Sequence, residues 1–191
     1  YYGEITPKNP IIKALKFGKG FLDFLVSIYI PFLKWNKEPT LRDNEFISLV
    51  NKKLQALSLI DPQEFVIQCF HIIKRVTQFN MSKIENGIGI MAEMCIIFTW
   101  PGISFTLGKR VLDFVKDKPQ LSDVKSVLYY KTCELFYNGV TGDWSDELNY
   151  DHELINQNLK VGEFVMTSIL YQWNGFLYIA RGDFHAAREA V

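Results

Sequence analysis

Apolar residues recur at spacings of three and four along most of this 191-residue chain, which is the pattern of one face of an α-helix. The stretch from Thr40 to Ile60 shows the pattern most regularly. Its apolar positions are Phe46, Leu49, Val50, Leu54 and Leu57. No alternating apolar and polar run of convincing length lies between turn signals, so the sequence predicts no β-sheet. We therefore expect an all-α protein.

Turn signals divide the predicted helices into pairs. Asp61-Pro62 places an N-cap residue before a proline at the first helical position, and Trp100-Pro101-Gly102 interrupts the next helical stretch. Short connections of this kind force neighbouring helices to be antiparallel. The expected organisation is an N-terminal helical segment at 1–38 and four helix pairs within 39–191. The pairs fall at approximately 39–80, 81–119, 120–161 and 162–191, the last one truncated.

Capping patterns predict where individual helices begin. Ser82, followed three residues later by Glu85, has the spacing of a capping box for a helix that runs through Phe98. Ser122 is the expected cap of the first helix in the third pair. Trp144 is expected to open the second helix of that pair, after the turn at Gly142-Asp143.

One aromatic residue recurs at a nearly fixed interval. Phe65, Phe105, Trp144 and Phe184 are separated by 40, 39 and 40 residues. A period of this size is typical of stacked helix pairs, which bury their apolar faces only against their neighbours. The pattern predicts a right-handed α-solenoid in which each ring fills the joint between the two helices of its pair.

The strongest local motif lies in the last pair. It reads Tyr171-x-x-Asn174-Gly175-x-x-Tyr178-x-x-x-Gly182-Asp183-Phe184-x-x-Ala187. This motif resembles a tetratricopeptide repeat, although the 40-residue period exceeds the usual 34 of that class. The resemblance implies a close helix approach at Gly175 and a left-handed residue at Gly182. It also implies that Phe184 wedges between the helices and that Ala187 keeps their crossing tight.

Over its whole length the chain resembles the degenerate helical arm of large multidomain signalling ATPases. The resemblance depends on the long degenerate pairs, the Gly-Asp-aromatic turn and the linker at residues 158–163. It implies a cytoplasmic, non-catalytic arm for protein–protein interaction in signal transduction, within a parent that carries ATPase, kinase or cyclase domains. The partner is then a protein or another domain of the same polypeptide. The motifs for ATP binding are absent from this chain, so neither ATPase activity nor a cofactor is implied.

In this repeat class the first helix of each pair lines the concave surface. The residues that would face inward are Tyr129, Thr132 and Phe136 in the third pair, and Ile169, Gln172, Phe176 and Ile179 in the fourth. Such a groove is apolar and aromatic, so the expected occupant is an amphipathic helix, another domain or a second copy. The alternative is that tight curvature packs these side chains against one another.

Composition excludes several other classes of function. Lys plus Arg and Asp plus Glu both number 21, and this balance argues against a dedicated nucleic-acid binder. The chain begins without methionine and ends within a predicted helix, so we expect a piece of a longer polypeptide.

The chemistry-bearing residues give no catalytic or metal-binding motif. Cys69, Cys95 and Cys133 form no CxxC pair, which indicates buried reduced thiols. The three histidines, at positions 71, 152 and 185, are scattered over different pairs, so no metal site is predicted.

Two charged segments keep alternative functions open. One is an acidic group that consists of Asp143, Asp146, Glu147, Asp151 and Glu153. It is the basis of a helical enzyme as an alternative, although a solvated helix face is favoured. The other is the lysine-rich apolar segment 11–34, which is expected either to cap the solenoid or, as the alternative function, to lie on a membrane surface.

Overall fold

The computed structural model describes residues 9–30, 37–116, 123–144 and 152–189. The α-helices are α1 (Pro10–Tyr29), α2 (Leu41–Ile60), α3 (Pro62–Val76), α4 (Gly87–Ala92), α5 (Met94–Thr99), α6 (Phe105–Lys116), α7 (Val124–Thr141), α8 (His152–Lys160), α9 (Phe164–Ala180) and α10 (Phe184–Glu189). Met81–Lys83 form a 3₁₀ turn. The described residues contain no β-strand, only an isolated bridge between Lys37 and Phe79, so the predicted all-α class is confirmed.

Side-chain caps begin several helices where the sequence predicts them. The hydroxyl of Thr40 accepts a hydrogen bond from the Asp43 backbone N–H, and the Asp43 carboxylate accepts one from the Thr40 backbone N–H in return. At the start of α3, Asp61 Oδ1 accepts a hydrogen bond from the Glu64 N–H at 3.0 Å. These bonds satisfy N–H groups that the first helical turn leaves without partners.

The predicted helix that follows Ser82 is broken into shorter pieces. Asn80, not Ser82, supplies the capping oxygen, which accepts a hydrogen bond from the Ser82 N–H at 3.3 Å. Asn86 adopts a left-handed conformation with φ of 54°, so the chain cannot be α-helical at that point. Helix α4 begins only at Gly87, and a turn at Glu93 separates it from α5.

Two further helix starts differ from the prediction. Asp123 caps α7 by accepting a hydrogen bond from the Ser126 N–H at 2.8 Å, while Ser122 lies outside the described residues. The backbone of Trp144 is not helical, and the next described helix, α8, begins at His152; residues 145–151 lie outside the described residues. The indole of Trp144 instead donates a hydrogen bond to the Gly139 carbonyl at 3.2 Å.

The chain divides into two compact units, Tyr1–Gly87 and Ile88–Val191. In the first unit α3 packs against both α1 and α2. The Phe70 ring of α3 is 2% exposed and meets three rings of α1 edge to face, at centroid distances of 5.3, 5.8 and 5.7 Å. Those rings belong to Phe17, Phe21 and Phe24. This aromatic packing holds α1 on α3.

In the second unit successive helices contact one another in sequence. Helix α5 packs on α6 and α7, α7 packs on α8 and α9, and α9 packs on α10. A core lies where α7, α8 and α9 meet, and it consists of Leu128, Tyr129, Ile155, Met166 and Leu170. Each helix thus buries apolar surface against its sequence neighbours. The predicted boundary at residue 38 and the four repeat units stay predictions.

The expectation that recurring rings fill the helix joints is wrong for three of the four. Phe184 is 70% exposed, Phe105 is 43% exposed and Trp144 is 39% exposed, whereas Phe65 is half-buried. Between α9 and α10, which pack on each other, the small side chain of Ala187 is buried, at 7% exposed. Gly175 is buried, its role in a close helix approach stays a prediction, and Gly182 has the expected left-handed φ of 78°.

Helices α5 and α6 approach each other closely at Gly108 of α6. A Cβ atom at this position would lie 2.4 Å from the Thr99 methyl carbon and 3.4 Å from Cys95 Sγ. We expect Gly108→Ala to lower the free energy of unfolding by about 1–2 kcal/mol, because the steric cost exceeds the gain in helix propensity. Thermal or urea unfolding measures the change.

Gly18 of α1 provides the matched control, because a Cβ atom there meets nothing within 4 Å. Gly18→Ala should stabilise the protein by about 0.5–1 kcal/mol. Adding Thr99→Ser to Gly108→Ala removes the obstructing methyl group and should recover part of the lost stability. If Gly108→Ala were as stabilising as Gly18→Ala, the close approach of α5 and α6 would be contradicted.

Candidate interaction surface

The predicted inward-facing residues of α7 are buried inside the second unit. Tyr129 is 2% exposed, Thr132 is fully buried and Phe136 is 3% exposed. The Tyr129 hydroxyl donates a hydrogen bond to Glu163 Oε2 at 3.3 Å, and its ring lies in the core with Met166 of α9. These three side chains therefore cannot contact a partner unless the unit rearranges.

The equivalent residues of α9, forty positions further on, are mostly accessible. Ile169 is partly buried against the core of the unit, but Gln172 is exposed, Phe176 is 47% exposed and Ile179 is 55% exposed. Val165 lies on the same helix face and is 69% exposed. The predicted groove residues thus separate into a covered set on α7 and an accessible set on α9.

Four rings connect the covered set to the accessible set. They form the aromatic cluster, which consists of Trp100, Phe136, Trp173 and Phe176. The Phe136 and Trp173 ring centroids are 4.8 Å apart, and those of Trp173 and Phe176 are 5.3 Å apart, both in edge-to-face geometry. The Trp100 ring lies 5.8 Å from Phe136 and 6.4 Å from Trp173, and its residue is 68% exposed.

Nothing in the sequence assigns Trp100 or Trp173 to this surface. The signal at Trp100 was obscured by Pro101 and Gly102, which mark only a helix end. Trp173 has the helical spacing of any core residue, so its position beside Phe176 needed coordinates. The two indoles extend the predicted surface from α9 across the end of α5.

A buried carboxyl group lies between α4 and α5. Burial, together with a smaller effect of the negative charge of Glu163, raises the pKa of Glu93 from 4.5 to about 8. Glu163 itself forms an ion pair with Lys125 at 3.2 Å and accepts the hydrogen bond from Tyr129. At neutral pH, Glu93 is therefore mostly protonated.

The cysteines are free and buried, as the sequence predicts. Burial raises the pKa of Cys95 to about 12, against the opposing effect of a hydrogen bond with Thr99. Burial also raises the pKa of Cys133 well above its usual value, and nearby Glu93 adds to this effect. Both thiols are protonated at neutral pH and are poor nucleophiles.

The acidic group is only partly described. Asp143 and Glu153 are exposed, and the positions between residues 145 and 151 lie outside the described residues. No three His, Cys, Asp or Glu side chains within the described ranges lie together in a way that could hold a metal ion. None of the described helices combines the length and the low polarity that a membrane crossing requires.

No protein family model, no curated protein and no solved structure matches this chain. Its function is therefore inferred from the arrangement of its own side chains, above all the aromatic cluster and the exposed face of α9.

The raised pKa of Glu93 predicts a particular pH dependence of stability. The folded state keeps this proton up to about pH 8, whereas an unfolded chain releases it near pH 4.5. The contribution of Glu93 to the free energy of unfolding is complete below pH 4.5 and is lost as the pH rises through 8. The free energy of unfolding should fall by at most about 1.4 kcal/mol per pH unit over this range.

The measurement is the free energy of urea unfolding across this range, for the unchanged chain and for Glu93→Gln. The amide cannot titrate, so the fall in stability that is due to residue 93 should be absent from the variant. If the free energies of unfolding of the two chains changed in parallel with pH, the inference that Glu93 is buried and protonated would be contradicted.

Proposed function

We propose that this chain is a non-catalytic scaffold for protein–protein interaction, which binds an amphipathic helix of a partner protein on the exposed face of α9. In this proposal the second unit is part of a right-handed α-solenoid that serves as a cytoplasmic arm of a larger signalling protein. The order of helix contacts supports a solenoid, because α5 packs on α7 and α7 packs on α9.

The observation that carries the proposal is a difference in exposure between equivalent positions of α7 and α9, which lie forty residues apart in the sequence. Tyr129 and Phe136 of α7 are covered by side chains of α9. The matching positions of α9 are Ile169 and Phe176, and Phe176 remains 47% exposed. A helix that packs on α9 as α9 packs on α7 would cover this ring.

The chemistry of the α9 face fits such a helix. The exposed side chains of Val165, Phe176 and Ile179 are apolar, and Gln172 is the polar residue among them. Contiguous apolar surface on a folded protein commonly marks an interaction site. Helix-in-groove recognition uses anchors at this spacing, and aromatic residues dominate the binding energy of such interfaces.

The state of the buried thiols supports a non-catalytic role. Cys95 and Cys133 both have raised pKa values, so neither carries the thiolate that a cysteine nucleophile needs. Glu93 has the raised pKa of a general acid, but its immediate neighbours include these neutral thiols. We therefore assign Glu93 to the stability of the unit.

The test uses Phe176→Asp and Ile179→Asp, which place charge on the exposed face of α9. Burying one large apolar side chain contributes about 1.5–3 kcal/mol, so each variant should weaken binding of a partner at least about tenfold. Chemical cross-linking followed by mass spectrometry would identify the partner peptide and quantify its capture by each chain.

Val161→Asp is the matched control, because Val161 is 55% exposed in the turn before α9. This variant should capture the partner as well as the unchanged chain does. Ile179→Asp and Val161→Asp should keep the melting temperature of the unchanged chain, whereas Phe176→Asp also loses the ring contact with Trp173 and should melt at a somewhat lower temperature. Equal capture by the Phe176→Asp variant and the control would contradict the α9 face as the binding site.

A further inference from the structure

A cleft of about 470 Å³ opens between α1 and α2 in the first unit, and α3 forms its floor. Its lining is strongly basic, with five Lys and Arg residues and one acidic residue, Asp23. The cations come from all three helices of the unit. They are Lys16 and Lys19 of α1, Lys53 of α2, and Lys74 and Arg75 of α3.

Two of these cations are already balanced by acidic groups. Lys74 Nζ lies 2.7 Å from Asp23 Oδ2, and Arg75 Nη2 lies 3.5 Å from Asp43 Oδ1. The Arg75 guanidinium also lies 4.4 Å above the centre of the Phe46 ring, which fixes its position in the cleft wall. The hydrogen bonds from Thr40 lower the pKa of Asp43, so Asp43 is charged at neutral pH.

Two further lysines of the cleft, Lys19 and Lys53, add positive charge to that of Lys74 and Arg75. Lys19 and Lys53 form no ion pair with any residue that the structure describes, although both line the cleft. They project from α1 and α2, the two helices that flank α3. Like charges facing one cleft repel each other unless an anion lies between them.

The size and the donors of the cleft favour a compact anion with several oxygens. A volume of about 470 Å³ is in the range of small-ligand sites, and it is too small for a groove that follows a nucleic-acid strand. Lysines from different helices can each donate to a different phosphate oxygen. His71, which also lines the cleft, offers a further ring N–H donor.

The outward face of α1 adds a second feature beside the cleft. Gly20, Phe24 and Ile28 face α3 and are buried, and the opposite face is apolar and open. That face carries Ile11, Leu15, Leu22 and Val26, which are 69%, 68%, 62% and 45% exposed. A helix with apolar residues beside lysines is typical of proteins that lie on anionic lipid surfaces.

We propose that the basic cleft binds an anion that carries more than one phosphate group. The same chemistry is available from a soluble polyphosphate and from the headgroup of a phosphoinositide lipid. With a lipid, the apolar face of α1 would enter the membrane interface while the headgroup occupies the cleft. This site lies in the first unit and is independent of the α9 face.

The experiment measures binding of the full chain to two probes. One is soluble tripolyphosphate, followed by calorimetry, and the other is phosphatidylcholine vesicles with and without a phosphoinositide, followed by cosedimentation. Lys19→Glu and Lys53→Glu should each weaken binding at least about fivefold, and the double variant should weaken it further. Added salt should weaken binding to both probes.

Lys52→Glu provides a matched control, because Lys52 is the neighbour of Lys53 in α2 and does not line the cleft. This variant changes the net charge equally and should bind within about twofold of the unchanged chain, because screening weakens charges outside the cleft. Leu15→Asp distinguishes the two sources, because it should reduce vesicle binding and leave tripolyphosphate binding unchanged.

Binding of either probe that depends on Lys19 and Lys53 but not on Lys52 would support the proposal. Equal losses for Lys52→Glu and Lys53→Glu would overturn it, because they would show an effect of net charge alone. Absence of binding to both probes would also overturn it. Tighter binding to single-stranded RNA than to either phosphorylated probe would overturn it as well.

Discussion

Burial of one phenylalanine ring organises each unit of this protein. In the first unit Phe70 of the central helix α3 is enclosed by three rings of α1, and this contact fixes where α1 lies. In the second unit Phe136 of α7 lies between Trp100 and Trp173. Edge-to-face packing is favourable only within a narrow range of distance and angle, so each buried ring sets the position of its neighbours.

One helix in each unit, α1 in the first and α9 in the second, has apolar residues on a side that faces away from the core of its unit. One face of helix α1 packs on α3, and its opposite face exposes a row of aliphatic side chains. Helix α9 packs on α7 with one face and exposes Phe176 and Ile179 on another. A helix that is apolar on nearly every side is stable in water only if its outer surface finds cover. The two proposed interactions provide such cover, and they use different chemistry because only α1 has lysines beside its apolar row.

The sequence predicts the helices well and the sites less well. Capping residues and proline positions act locally, so Thr40 and Asp61 begin their helices as expected. The capping pattern at Ser82 predicts an uninterrupted helix, and it gives no sign of the left-handed conformation that Asn86 adopts. Burial of Tyr129 depends on α9, and the convergence of Lys19 and Lys53 depends on how α1 and α2 flank α3. Neither arrangement can be predicted from the spacing of apolar residues or from the net charge of the chain, which is zero.

The position of the indoles gives the protein a built-in optical reporter. Two of its four tryptophans, at positions 100 and 173, lie edge to face at 6.4 Å within the aromatic cluster. Their emission wavelength and their near-ultraviolet dichroism depend on how much water reaches the rings. Anything that covers the end of α5 and the neighbouring part of α9 will change both spectra, so occupancy of that surface can be followed in the unlabelled chain.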